Sequence, residues 1–116
     1  MAKIMEFEIR FYEKADGTRP AEEFLNALDK PMRIKMVKMI SLLGELGFNL
    51  REPYSKPIDD GIFELRAQVG NNISRILYFF VIGKRVILTN GFIKKTQKTP
   101  QKEIELAKKY RKDYLK

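Results

Sequence analysis

The chain has 116 residues, the length of one domain when domains run to roughly 100–200 residues. Lys and Arg number 23 against 15 Asp and Glu, a formal charge of +8, and 44% apolar residues with 8 Phe and 5 Tyr are enough to fill a core. Cys and His are absent, which excludes disulfides, thiolate or imidazole zinc sites, thiol nucleophiles and any mechanism that needs an imidazole.

Met5 to Tyr12 alternates, with Met5, Phe7, Ile9 and Phe11 on one side, and reads as a strand. Ala15-Asp16-Gly17 turns the chain. Thr18 is placed to cap a helix whose first turn holds Pro20, Glu22 and Glu23, suited to the positive end of the helix dipole, with Phe24, Leu25 and Leu28 on its apolar side. A longer helix restarts around Asp29 to Pro31. It carries Met32, Met36, Met39, Ile40, Leu43 and Leu46 at three- and four-residue steps and stops at Gly47. The methionines read as core filling rather than as a cofactor site. Leu50 to Gly61, with two prolines and Asp59-Asp60-Gly61, reads as a loop. Ile62 to Gln68, Ile73 to Ile82 and Arg85 to Lys94 are β-branched and aromatic and read as a three-stranded meander turning at Gly70-Asn71 and Gly83-Lys84. Thr99-Pro100 opens a final helix with Ile104, Ala107, Tyr110 and Tyr114 on its buried stripe. The expectation is a single α+β domain over residues 1–116, in the order β-α-α-β-β-β-α. Its antiparallel-rich twisted sheet would carry an N-terminal helical hairpin and a C-terminal basic helix.

No window approaches about 18 uninterrupted apolar residues, so no membrane span is expected. Met1 to Arg10 mixes charged and apolar residues, unlike a signal peptide, and a reducing cytoplasm suits a chain without Cys. Between Lys94 and Lys116 stand nine basic and three acidic residues, so this segment holds six of the eight net charges and the first 93 residues are nearly balanced. Such a patch is the electrostatic footprint of a nucleic-acid binder; a solvated helix face or a surface for an acidic protein would look the same.

Hairpin pairing adds geometry. A turn centred on Gly70-Asn71 sets Arg66 opposite Arg75, and a two-residue turn at Gly83-Lys84 sets Phe92 opposite Arg75 from the other side. Lys94 shares that face by alternation, with Glu64 beside the arginines. Phe63, Leu65, Ile76, Tyr78, Phe80, Ile87 and Ile93 are expected on the opposite face, against the helices. Two opposed arginines repel by a few tenths to about 1 kcal/mol unless an anion lies between them. That anion is either a bound phosphate, with an aromatic ring nearby for base stacking, or Glu64 itself pairing with both.

Gly61-Ile62-Phe63-Glu64-Leu65-Arg66, Ser74-Arg75-Ile76-Leu77-Tyr78-Phe79, and Gly91-Phe92-Ile93-Lys94-Lys95-Thr96-Gln97-Lys98-Thr99-Pro100 together resemble the RelE/HigB superfamily of toxins, above all its phage-derived HigB-like branch. The likeness continues through Glu103-Ile104-Glu105-Leu106-Ala107 and takes in the Glu52-Pro53-Tyr54-Ser55-Lys56-Pro57 loop, so it covers nearly the whole chain. It implies the toxin of a type II toxin–antitoxin pair, similar to endoribonucleases that enter the ribosome and cut messenger RNA. No metal or other cofactor is implied, because the messenger's own 2′-hydroxyl attacks the adjacent phosphate. Arg66 and Arg75 match positions that grip the scissile phosphate, and Lys94 and Lys95 match the basic end of the last strand. Phe92 would stack on a base, Lys56 would sit at the rim, and Lys98, Lys102, Lys108, Lys109 and Lys112 would hold RNA backbone.

Relatives often carry a histidine where Thr89-Asn90-Gly91-Phe92 stands here. The alternatives for a general base are Glu64, a lysine lowered by neighbouring cations, or Tyr54, and phosphate stabilisation with in-line positioning is a route without one. The implied partners are a cognate antitoxin, expected to be an acidic helix-turn-helix repressor of the HigA kind, together with the ribosome and messenger RNA. Two other readings stand beside this one: a ParE-like inhibitor of DNA gyrase, and a nucleic-acid-binding module without activity.

Overall fold

The computed structural model describes residues 6–93 and 98–116. Its elements are β1 (Glu8–Phe11), α1 (Pro20–Ala27), α2 (Lys30–Leu46), β2 (Ser55–Asp59), β3 (Ile62–Val69), β4 (Asn72–Val81), β5 (Arg85–Ile93) and α3 (Gln101–Tyr114). Among the described residues these make three helices and one five-stranded mixed sheet, in the order β1-β5-β4-β3-β2, with β1 parallel to β5 and the rest antiparallel.

Local chemistry sets the helix ends. Asp16 accepts hydrogen bonds from the Thr18 backbone N–H at 2.9 Å and its hydroxyl at 2.7 Å, so Thr18 closes the turn instead of capping α1. The cap position falls to Arg19, which offers no side-chain acceptor, and Pro20 with Glu22 and Glu23 suits the first turn. Asp29 caps α2 by accepting from the Met32 N–H at 3.0 Å. Gly47 ends α2 at φ 51°, where an added Cβ would lie 1.9 Å from the Phe7 ring.

The α+β class and the helical hairpin match the sequence expectation, but the expected loop at 50–61 contains a strand. β2 pairs antiparallel with β3 and forms the sheet edge. Pro57 disguised it, and an edge is the one place where a strand accepts proline, because one row of its backbone groups needs no partner. The order of elements is therefore β-α-α-β-β-β-β-α along the chain.

The helices cover both faces. Leu65, Ala67, Ile76, Tyr78, Val86 and Leu88 pack with Leu25, Met32, Met36, Met39 and Leu43 of α1 and α2, so the methionines are core. Ile62, Leu77, Phe79 and Ile87 pack with Tyr12 and Ala107, under α3. Ile87 is thus on the face opposite to the one expected. The β4–β5 turn has three residues, Ile82-Gly83-Lys84, with φ of 92° at Gly83 and 56° at Lys84, so Val81 pairs with Arg85 and Phe79 with Ile87. A bulge on β5 between the Tyr78–Leu88 and Ile76–Gly91 pairs then restores the expected register, and Arg75 does face Phe92. Ile93, beyond the bulge, is half exposed.

Gly91 follows the bulge where α1 crosses β5, and a Cβ there would stand 2.2 Å from the Phe24 ring. Gly91→Ala should cost about 1–3 kcal/mol in urea denaturation, most of it recovered in the Gly91→Ala/Phe24→Ala double variant. Additive losses would show that the approach of α1 is not what requires the glycine.

Candidate active site

Glu64 is fully buried in the middle of β3, on the face that α3 covers. Alternation places Arg66 on the same face, and the β3–β4 register sets Arg66 opposite Arg75. The Glu64 Oε1 accepts from Arg66 Nε at 3.1 Å and from Arg75 Nη1, while its Oε2 accepts from the Thr99 hydroxyl at 2.5 Å. The countercharge between the two arginines is therefore a carboxylate of the chain itself. Burial opposes ionisation of Glu64, but the Thr99 hydroxyl and the Arg75 and Arg66 guanidiniums outweigh it and hold the carboxyl below the usual carboxylate range. Burial lowers the Arg75 pKa, against the pull of Glu64 in the other direction, and the group stays a cation.

Both arginines keep donors to spare. Arg75 is 4% exposed, and its Nε has no hydrogen-bond partner among the described residues. Arg66 is more open, and Glu64 engages only its Nε. The Arg66 N–H donates to the Tyr54 carbonyl at 2.9 Å. Beyond that bond β2 no longer covers β3, and a cavity of about 230 Å³ opens along the bare edge. Arg66, Arg75, Tyr54, Lys35, Met39 and Gln68 are among the residues that line it. Tyr54 is half exposed there.

The structure thus gathers Arg66, Arg75 and Tyr54 around one groove, with Glu64 buried behind the two arginines, and adds Lys35 and Gln68, which the sequence reading did not single out. Gln68 follows from the same alternation as Arg66. Lys35, one helical turn before Met39, flanks the apolar stripe of α2, a position that periodicity could have marked.

The remaining candidates are elsewhere. Lys56 and Lys98 line a second cavity of about 290 Å³, between β2 and the start of α3. Phe92 is half buried and packs against the cluster under α3. Lys108 reaches Asp59 at 2.6 Å. Lys102, Lys109 and Lys112 are exposed on α3 and make no ion pair among the described residues. Lys94 and Lys95 lie outside the described residues.

Because the Glu64 pKa is lower in the folded chain, its contribution to stability is complete above the unfolded value of about 4.3 and is lost as pH falls through the folded value. Glu64→Gln leaves two guanidiniums without their carboxylate and should cost about 3–5 kcal/mol at neutral pH. Urea denaturation against pH should also show a smaller acid loss in Glu64→Gln than in the wild type. Parallel acid limbs would place the sensitive carboxylate elsewhere.

Residues 23–112, from α1 into the second half of α3, match the family described as Phage derived protein Gp49-like (DUF891). No curated protein matches the chain. On the breadth of that match the chain belongs to the Gp49-like phage-derived family, within the RelE/HigB-like superfamily of toxin–antitoxin toxins.

Proposed function

We propose that the chain is a HigB-like toxin that enters the ribosome and cuts translated messenger RNA, with the groove at the bare edge of β3 as its active site. The observation that supports this reading is the pairing of two arginines, pre-oriented by a buried carboxylate, with an exposed tyrosine beside the same cavity. The messenger's 2′-hydroxyl attacks the adjacent phosphorus, the bond to the 5′-oxygen breaks, and the products are a 2′,3′-cyclic phosphate and a 5′-hydroxyl. Negative charge grows on the non-bridging oxygens as this happens. The free Nη groups of Arg66 are cationic donors fixed before the substrate arrives, and the buried Arg75 guanidinium adds its charge from behind them, the arrangement that most favours a charged transition state. Lys35 adds a third positive charge to the wall, and the Tyr54 ring offers a base a stacking surface.

Glu64 serves in this reading as the orienting carboxylate. Its lowered pKa makes it a poor proton acceptor near neutrality, and both of its oxygens are engaged. The proton of the 2′-hydroxyl passes to water, the Tyr54 phenol donates its own to the leaving 5′-oxygen and regains one from water, and in-line positioning supplies most of the rate. Phe92 supports Arg75 from β5, and Lys56 and Lys98 take the backbone of the neighbouring nucleotide. Lys94 and Lys95 enter through the family likeness, and Lys102, Lys108, Lys109 and Lys112 through nonspecific attraction to ribosomal RNA.

Arg66 is the informative position, since it is partly exposed, whereas removing Arg75 strands a buried charge. In cells expressing the chain, mapped 5′ ends should fall inside translated codons. Arg66→Ala, with its melting transition retained, should reduce cutting by about 100–1,000-fold. Growth arrest with intact messenger and lost gyrase supercoiling would overturn the ribonuclease reading, and undiminished cutting by Arg66→Ala would remove the groove from it.

A further inference from the structure

The methionine side of α2 is buried, and the other side carries Ile34 and Val37, 47% and 50% exposed, one turn apart. Lys30, Lys35 and Lys38 surround them, and none makes an ion pair among the described residues. The first acid on this helix is Glu45. α3 is different: Lys108 pairs with Asp59 and Arg111 with Asp60, and Glu103, Glu105 and Asp113 are interspersed among its cations. Its Lys102, Lys109 and Lys112, unpaired among the described residues, surround no exposed large apolar side chain of the helix. The outer face of α2 is therefore an apolar centre ringed by cations that have no ion-pair partner among the described residues.

We infer that this face docks an acidic amphipathic helix of the cognate antitoxin, an inference that rests on the toxin reading of the chain. Ile34 and Val37 at three-residue spacing match the apolar stripe of a partner helix, and the surrounding lysines match carboxylates on its flanks. An RNA backbone would satisfy the lysines but leave the two aliphatic side chains without a use, since phosphate contacts come from charged and polar groups. Lys35 belongs to both surfaces, because it also lines the groove beside Tyr54 and Arg66. A carboxylate that takes Lys35 removes a cation from the groove wall, so docking on α2 weakens the site it adjoins.

The test titrates the purified cognate antitoxin, obtained from the native gene pair, into the full chain by calorimetry with no messenger present. Ile34→Asp/Val37→Asp and Lys30→Glu/Lys38→Glu should each weaken binding by about 30-fold or more, and melting curves should confirm that both fold. The control Lys102→Glu/Lys109→Glu on α3 should change it by less than about threefold. Expressed without antitoxin, the two α2 variants should still cut messenger, which separates loss of docking from loss of the ribonuclease reading. Wild-type affinity in the α2 variants, no complex with the wild-type chain, or a loss confined to the α3 control would overturn the inference. So would α2 variants that lose affinity for single-stranded RNA and keep it for the antitoxin.

Discussion

A single buried carboxylate organises this molecule. Two arginines that face each other across β3 and β4 would repel, and one of them is almost wholly removed from water. Glu64 lies between them and converts that repulsion into a bridge. A buried charge is tolerated only when it is paired, so Glu64, Arg66 and Arg75 stand or fall together. They also fix register, because a one-residue slip of β3 would drive Arg66 into the apolar layer of Leu65 and Ala67 under α2. The other carboxylate oxygen accepts from Thr99 and so ties the start of α3 to the middle of the sheet.

The far end of α3 is held by a second set of contacts. Tyr12 stacks on Tyr110 with ring centroids 4.5 Å apart and donates to Asp113 at 2.7 Å. Burial and the Asp113 carboxylate push the Tyr12 pKa up to about 12, so the phenol remains a donor throughout the neutral range. Lys108 and Arg111 reach across to Asp59 and Asp60 at the turn after β2. Two of the five cations of α3 thus bind their own chain, and its surface potential is weaker than its composition implies.

What could be read from the sequence follows from which interactions are local. The opposition of Arg66 to Arg75 needed only strand alternation and one turn, and it appears as expected. The opposition of Arg75 to Phe92 appears as well, through a three-residue turn whose effect a bulge cancels, and Ile87 between the two shows the miscount by changing face. β2 was hidden because its proline, Pro57, suits both a loop and a sheet edge. The groove was hidden for a different reason: it exists where β2 ends and α2 meets the uncovered edge of β3, and no sequence window contains both. Glu64 was visible beside the arginines, but whether a phosphate or this carboxylate lies between them depended on side-chain placement. Likewise, near balance of charge over the first 93 residues concealed α2, where cations cluster and acids do not.

The role given to Glu64 can be measured directly by following its side-chain carboxyl carbon by NMR as the pH is lowered. A midpoint below the ordinary glutamate value, with no protonation between about pH 5 and 8, is the result expected of a carboxylate held by Arg66, Arg75 and Thr99. A midpoint at or above the ordinary value would contradict it. The arginines would then lack their internal countercharge, and Glu64 would return as a candidate general base.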